Sequence, residues 1–333
     1  MPEMTETGKK QRVATSEAQQ TWNVVGAMMV LENYRWLRHE AEEAGVRIVP
    51  LKGIDLLQSL YAERYDRPVR DIDVWTDSEA SCRRLAEHLL EGGAYRLEFP
   101  FGLDPATLHA KGKVSLVAAA PLKVNIDLHF AFVTKKFFSR TTGSFNADAG
   151  IRASSGEMDP LDRWLFLAQH AAFHSYCDPK WPRDIGLLYE AMSPGQREEL
   201  AQVAGRYGFR RVLLASLQRL SAEYPAAAAA LETTPVTRQE ERFLRFAARN
   251  MITRKHTLRE RIVSSYWEFT FIDTSADRRR MTRRLLWPEK GTLANMYRIR
   301  HTWLTPFYRA LNLAVSSLSC AAFWTGYRIS SRP

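Results

Sequence analysis

The sequence has few of the features that mark secreted or membrane-spanning proteins. It contains three cysteines, Cys82, Cys177 and Cys320, which show no paired spacing. We therefore expect neither a disulfide framework nor a cysteine-based zinc site, and a cytoplasmic location fits this composition. No apolar run reaches the roughly 18 residues that a spanning helix needs. The polar N-terminus lacks the apolar core of a signal peptide, so residues 1–19 are expected to form a disordered tail.

The longest apolar stretch, residues 311–324, is interrupted by polar side chains, among them Asn312 and Ser316. We expect a buried C-terminal helix here, with a helix lying on a membrane surface as the alternative.

The charges are not balanced. Lys and Arg number 47 against 37 Asp and Glu, which gives a net charge of +10 and a pI near 9.6. This excess points to a polyanionic partner such as nucleic acid, nucleotide or an anionic membrane surface, with a charge that only keeps the protein soluble as the alternative. Residues 237–310 hold 17 basic and 7 acidic residues, a difference of +10 that equals the net charge of the chain. The arginine-rich stretch 278–284 is flanked by aromatic residues that can stack on RNA bases, although most such runs form interdomain salt bridges or a solvated surface. These aromatic residues are Tyr266, Trp267, Trp287 and Tyr297.

Hydrophobic periodicity and turn signals predict alternating helices and strands in the first half of the chain. Residues 143–156 are predicted to be a loop at a domain boundary. The Ala120-Pro121 step predicts antiparallel pairing of the last two strands. The predicted helices are 24–44, 54–65 and 79–91, and the predicted strands are 46–51, 71–76, 95–98, 113–119 and 122–130.

Strand signals vanish after residue 160. We therefore predict an α+β protein with a mixed-sheet domain at 20–150 and an all-helical domain at 157–330. The helices of the second domain are predicted at 160–176, 181–193, 195–206, 209–223, 237–253, 257–267, 276–287 and 302–328.

The strongest chemical signal is the pair Asp71 and Asp73 on one predicted strand. Alternate side chains of a strand share a face, so the two carboxylates lie together and repel unless a cation separates them. Mg²⁺ is the natural cation, with Mn²⁺ as an alternative. A solvated strand face would show the same pattern.

Asp127 lies among strand-forming apolar residues, where an isolated carboxylate is costly to bury. If its strand adjoins the first pair, three carboxylates converge. The third would then complete a second metal site or accept a proton from the attacking group. The alternative for Asp127 is an ion pair with Lys123 or Arg70.

Several further residues are candidates for nucleotide contact. Gly53 follows a buried strand and precedes a helix whose free N–H groups attract phosphate, and Lys52 can neutralise it. Arg67 and Arg70 either bind triphosphate oxygens or pair with the aspartates. His129 shares the face of Asp127 and either touches nucleotide or acceptor or is a hydrogen-bonded structural histidine.

The helical half contributes three candidates. Asp184 either faces a cleft between the domains or caps its helix. His170 and His174 stand four residues apart on a predicted helix, but no Glu or Cys completes a zinc motif, which favours core or supporting roles. The sequence does not indicate the oligomeric state.

The order of these elements resembles that of the polymerase-β nucleotidyltransferase superfamily. A glycine follows a strand, a carboxylate pair lies on the next strand, and a third carboxylate lies on a later strand. The strings around Lys52-Gly53 and Asp71-Ile72-Asp73, with Asp127 and the stretch 181–185, resemble its uncharacterised nucleotidyltransferase family over most of residues 20–310. The chain departs from the superfamily in having Gly53-Ile54 instead of Gly-Ser, and in a longer gap before the carboxylates.

The resemblance implies a polymerase-β-like nucleotidyltransferase domain followed by helices. It implies Asp71, Asp73 and Asp127 as catalytic and metal-binding residues, and ATP or another NTP contacting Lys52 and Gly53. The expected reaction transfers NMP to a hydroxyl or phosphate of an RNA end, a protein or peptide, or a small molecule, and releases pyrophosphate. The alternative is an inactive nucleotide- or RNA-binding module in a biosynthetic or toxin–antitoxin system.

Overall fold

A five-stranded mixed sheet with flanking helices precedes a helical C-terminal part. The predicted α+β fold class is thus confirmed. This computed structural model describes residues 17–61, 67–98, 102–133, 140–153, 156–250, 269–288, 293, 297 and 302–330.

The sheet has the strand order β1-β2-β5-β4-β3. β2 and β5 pair in parallel, and the other neighbours are antiparallel, including β4 with β5 as predicted. Pro50 lies in the edge strand β1, where a missing N–H is tolerated. The strands are β1 (Ile48–Leu51), β2 (Asp71–Thr76), β3 (Tyr95–Leu97), β4 (Lys113–Ala118) and β5 (Asn125–His129).

The helices of the first half pack on the sheet. Ser78 caps α3 by accepting a hydrogen bond from the Ser81 amide. The short helix α4 was not predicted from the sequence. These helices are α1 (Glu17–Glu43), α2 (Lys52–Ser59), α3 (Glu79–Glu91), α4 (Pro105–Lys111) and α5 (Arg140–Ala153).

Helix α5 occupies most of the segment 143–156, so the prediction of a loop there was wrong. Phe145, Ala149 and Ala153 recur every four residues, and all three are buried. Glycines and polar residues between them hide this periodicity, and burial against the rest of the chain stabilises the helix despite its weak propensity.

The two faces of β2 enter different cores. Ile72 and Val74 pack in a cluster with residues of α1 and α3. Trp75 points the other way, into a larger cluster that includes Phe132, Trp164 and many residues of the helical half. The carboxylates of β2 share the face of Trp75, because side chains alternate along a strand. The acidic face of the sheet is therefore directed towards the helical half.

The helical part agrees with the predicted segments, except that α10 was not predicted. The predicted helix 257–267 lies outside the described residues, and the domain boundaries stay predictions. A 3₁₀ turn at Thr302–Leu304 precedes the last helix. The helices are α6 (Pro160–Phe173), α7 (Lys180–Ala191), α8 (Pro194–Arg206), α9 (Arg210–Leu220), α10 (Pro225–Thr233), α11 (Arg238–Asn250), α12 (Ser275–Leu286) and α13 (Thr305–Ser330).

A helix was predicted in the region of α13 and is present, but the prediction that it is buried was wrong. Its polar residues Asn312 and Ser316 face the protein, while Leu311 and Leu318 are exposed to solvent. The Asn312 amide donates to the carbonyl of Leu285, which fixes the polar side inward. Among the described residues, no helix combines the length and apolar composition that crossing a bilayer requires.

Candidate active site

The two central strands bring the predicted carboxylates together. In the parallel register of β2 and β5, Asp73 lies opposite Asp127, and Asp71 lies opposite Asn125. Residues opposite one another in a parallel pair share a face of the sheet. The expectation that the strand of Asp127 adjoins the first pair is confirmed.

Asp73 is a buried carboxylate held by two donors. The Lys52 ammonium donates to its Oδ1 over 2.6 Å, and Nε2 of His129 lies 2.9 Å from the same oxygen. Burial disfavours the charged form, but the charge of Lys52 and the bond from His129 outweigh it and lower the pKa of Asp73. Burial lowers the pKa of His129. In the neutral imidazole, Nε2 either carries the proton and donates to Asp73 or is unprotonated and offers a lone pair to a cation.

Asp127 is neutralised by partners on β4. Lys113 donates to its Oδ2, and the Ser115 hydroxyl donates to its Oδ1 over 2.6 Å. Burial opposes ionisation of Asp127, but the charge of Lys113 prevails and its pKa is lowered. Of the two expected ion-pair partners, Arg70 is exposed just before β2, and the Lys123 ammonium lies over the Trp36 ring at 3.2 Å. The partner is therefore neither of them.

Lys113 and Ser115 are residues that sequence reasoning missed. They alternate on a strand that was predicted to pair with the strand of Asp127. Their alternation on a predicted strand is visible in the sequence, but the register that sets Ser115 opposite Asp127 depends on the folded sheet.

Asp71 differs from its neighbour. It begins β2 and is exposed at the end of the strand, and partial burial together with the charge of Asp73 raises its pKa. Ligand atoms of Asp73, Asp127 and His129 lie within 4.8 Å of one another and form a metal-capable group. The sequence predicted Asp71, Asp73 and Asp127 as the metal ligands, whereas this group has His129 in place of Asp71.

This group fits a hard divalent cation, because carboxylate oxygens are the ligands that Mg²⁺ and Mn²⁺ prefer. Asp73 accepts both of its bonds on Oδ1. Among the described residues no donor is bonded to its Oδ2, which leaves that oxygen for a cation.

The turn at Lys52-Gly53 is tightly constrained. Lys52 has a φ of 46°, a left-handed conformation that residues other than glycine rarely adopt outside functional sites. A Cβ on Gly53 would stand 2.7 Å from Cγ1 of Val69 and 3.0 Å from the Arg67 guanidinium. The residue before α2 is Leu51, whose side chain cannot bond to the first N–H groups of the helix.

Arg67 and Asp184 are both predicted to contact nucleotide, and in the structure they contact each other. Nε and Nη2 of Arg67 donate to both carboxylate oxygens of Asp184 over 2.8–3.0 Å, and the pair is buried. The hydroxyl of Tyr61 donates to Asp184 over 2.7 Å. Asp184 does not cap its helix, because α7 begins after Pro179. The pair joins the segment before β2 to the helical half.

Helix α6 lies over the carboxylate face. The Phe166 ring is 5.8 Å from the Lys52 ammonium and 6.4 Å from the His129 ring. Burial and the charge of Lys52 lower the pKa of His170 well below its usual value. The rings of His170, His174 and Trp181 cluster at 4.7–5.2 Å. Neither histidine belongs to a metal-capable group in the described part of the chain.

Comparison of the sequence with known protein families gave a match. The sequence profile of a family described as uncharacterised nucleotidyltransferase matches residues 10–224, which are 215 of the 333 residues. Comparison with curated proteins and with solved structures gave no significant match. The matched segment contains every residue of the acidic face described above. The chain belongs to the uncharacterised nucleotidyltransferase family, as its sequence motifs predicted.

Proposed function

We propose that the chain is a metal-dependent nucleotidyltransferase of the polymerase-β type. It moves NMP from an NTP to a hydroxyl or phosphate of an acceptor and releases pyrophosphate. Family membership supports nucleotidyl transfer. The observation that carries the metal-dependent mechanism is the register of β2 and β5, which sets Asp73 beside Asp127 with Asp71 at the open end.

Asp73 and Asp127 hold the metal in this proposal, with Asp71 and His129 as further ligands. Mg²⁺ or Mn²⁺ held there would supply positive charge against the negative charge that develops on the phosphoryl group during transfer. The lowered pKa of Asp127 keeps it ionised at neutral pH. A ligand role therefore suits Asp127 better than proton acceptance, which requires a pKa near the working pH.

Lys52 supplies the phosphate side. Its ammonium is 2.6 Å from Asp73 and is buried beside the start of α2. A triphosphate at this turn would offer the Lys52 ammonium a second anion besides Asp73. The N–H groups at the start of α2 and the exposed Arg70 can contact further phosphate oxygens.

The second candidate function is an inactive nucleotide- or RNA-binding module. One observation favours it: each inner carboxylate already carries a lysine ammonium, Lys52 on Asp73 and Lys113 on Asp127. A carboxylate pair neutralised by lysines is stable without a metal.

The test is pyrophosphate release from each of the four NTPs with Mg²⁺ or Mn²⁺, against RNA, peptide and small-molecule acceptors. Asp73→Asn and Asp127→Asn should each lower turnover by about a hundredfold or more, because metal stabilisation is worth several kcal/mol. Asp77→Asn is the matched control, since Asp77 is exposed one residue beyond the same strand.

Two outcomes would count against the proposal. Undiminished turnover in the double variant Asp71→Asn with Asp73→Asn refutes the metal assignment. Magnesium-independent NTP binding without pyrophosphate release, whatever the acceptor, establishes the binding module instead. Circular dichroism of each variant separates loss of chemistry from loss of fold.

A further inference from the structure

Helix α13 turns an apolar stripe to solvent. Phe307, Leu311, Val315 and Leu318 follow one another at steps of three and four, which is one face of a helix. Phe307 is 63% and Leu318 73% exposed, and Trp303 in the preceding turn is 76% exposed. A contiguous exposed apolar stripe of this length marks an interaction surface.

The opposite face of α13 is fixed against the protein by polar contacts. Asn312 is 1% exposed, and its amide donates to the Leu285 carbonyl over 2.9 Å, at the C-terminal end of α12. The Tyr297 hydroxyl donates to Oδ1 of the same side chain over 3.2 Å. Phe323 packs edge-on against Phe246 of α11. Rotating the apolar stripe inward would leave the helix-end carbonyl and the amide without partners, so the stripe stays outward.

Cationic side chains adjoin this stripe. Arg279, Arg280 and Arg283 of α12 are exposed, and no carboxylate in the described part of the chain pairs with them. The Arg309 guanidinium of α13 lies 4.9 Å from the centre of the exposed Trp287 ring, which joins the end of α12 to α13. Residues 290–333 contain six Lys and Arg and no Asp or Glu.

We propose that the outward stripe of α13 and the arginines of α12 form a docking surface for an anionic lipid bilayer. We call it the C-terminal docking surface. The helix lies in the plane of the interface, with its stripe among the acyl chains and the arginines at the head groups. Trp303 and Trp287 are placed where aromatic side chains are favoured, between apolar and polar layers.

Charge selects this occupant over the others. A second copy of the chain would bring the same arginines against themselves, which disfavours self-association through this surface. Nucleic acid would pair with the arginines but leave the Leu and Val side chains exposed to water. An anionic bilayer satisfies both the apolar stripe and the exposed arginines of α12.

The experiment is flotation of the full chain with vesicles of phosphatidylcholine alone or with added phosphatidylglycerol, at low and high salt. Binding is expected to the anionic vesicles and to weaken with salt. Arg279→Gln with Arg280→Gln and Arg283→Gln should weaken it roughly a hundredfold, from about fivefold per charge. Phe307→Asn with Leu318→Asn should weaken it at least about tenfold at either salt concentration.

Leu122→Asn is the matched control, because Leu122 is an exposed leucine far from α12 and α13 in sequence, with a left-handed backbone that Asn tolerates. It should leave binding unchanged. Failure of the unaltered chain to float, equal binding to both lipids, or equal loss in the control overturns the proposal. So does a dimer in sedimentation velocity that the Phe307 and Leu318 changes dissociate, or RNA binding that only the arginine changes abolish. If circular dichroism shows that a variant does not fold, the test rests on the unaltered chain. Binding that requires anionic lipid and weakens with salt supports the proposal, and binding without this dependence overturns it.

Discussion

Replacing Arg67 by methionine separates a structural role from a nucleotide-binding role. The guanidinium is almost wholly buried and makes three hydrogen bonds to Asp184, which also accepts from Tyr61. Burial lowers the pKa of Arg67, but the hydrogen bonds and the charge of Asp184 outweigh burial, so the pKa is raised. Nε and Nη2 of the guanidinium are thus engaged by Asp184 within the protein, so we expect Arg67→Met to affect stability first.

The magnitude follows from leaving one buried charge without its partner. Removing one member of such a pair costs about 3–5 kcal/mol, a large part of a typical stability of about 5–15 kcal/mol. The double variant Arg67→Met with Asp184→Leu should lose less than the sum of the single losses, because both charges leave together. A coupling energy of about 2–3 kcal/mol is expected.

Urea unfolding followed by circular dichroism measures these free energies, and NTP binding is measured on the same samples below the unfolding transition. Arg83→Met is the matched control, since Arg83 pairs with Glu87 on the surface, where such pairs contribute less than about 1 kcal/mol. An unchanged unfolding midpoint combined with lost NTP binding in Arg67→Met would refute the structural role and make Arg67 a phosphate ligand.

Three further predictions concern packing and charge. Gly53→Ala should lower the free energy of unfolding by about 1–3 kcal/mol, because its Cβ meets Val69 at 2.7 Å, and Val69→Ala should restore part of the loss in urea titrations. Gly186→Ala should lower the melting temperature, because its Cβ would lie 2.3 Å from the Tyr224 ring; an increase, as helix propensity alone predicts, would contradict this contact. Burial raises the pKa of Asp55 to about 6, so the folded chain holds a proton that the unfolded chain loses near pH 3.8. Stability should therefore fall as pH rises from 3.8 to 6, by up to about 3 kcal/mol, and a slope that persists in urea titrations of Asp55→Asn would exclude this group.

The sequence predicts the acidic face well because strand alternation is a local property. In any regular strand the side chains of Asp71 and Asp73 point to one face of the sheet and those of Ile72 and Val74 to the other. The structure shows this arrangement. Which cations accompany them is not local. Lys113 reaches Asp127 through the register of an antiparallel pair, and no pattern within either strand specifies that register.

Two helices show why apolar content alone predicts burial poorly. In α5, three small or aromatic residues support a helix through contacts with distant parts of the chain, so the segment appeared irregular in sequence. In α13 the apolar residues point outward because one polar residue, Asn312, bonds the end of another helix. The hydrogen bond of Asn312 to the end of α12 sets which face of α13 lies against the protein, so the apolar content of a segment does not by itself identify the buried face.

Asp71 and Asp73 share a strand face, yet their removal should have opposite effects on stability. Asp73→Asn leaves the buried Lys52 ammonium without its carboxylate, and a loss of about 3–5 kcal/mol is expected. Asp71 has no ion pair with a described residue, and its raised pKa reflects partial burial and repulsion by Asp73. Asp71→Asn should therefore raise the urea midpoint while abolishing turnover. A side chain that destabilises the fold and is needed for transfer is the expected signature of a catalytic carboxylate. A lower midpoint for Asp71→Asn would show that Asp71 supports the fold, and the repulsion inferred from its position would be wrong.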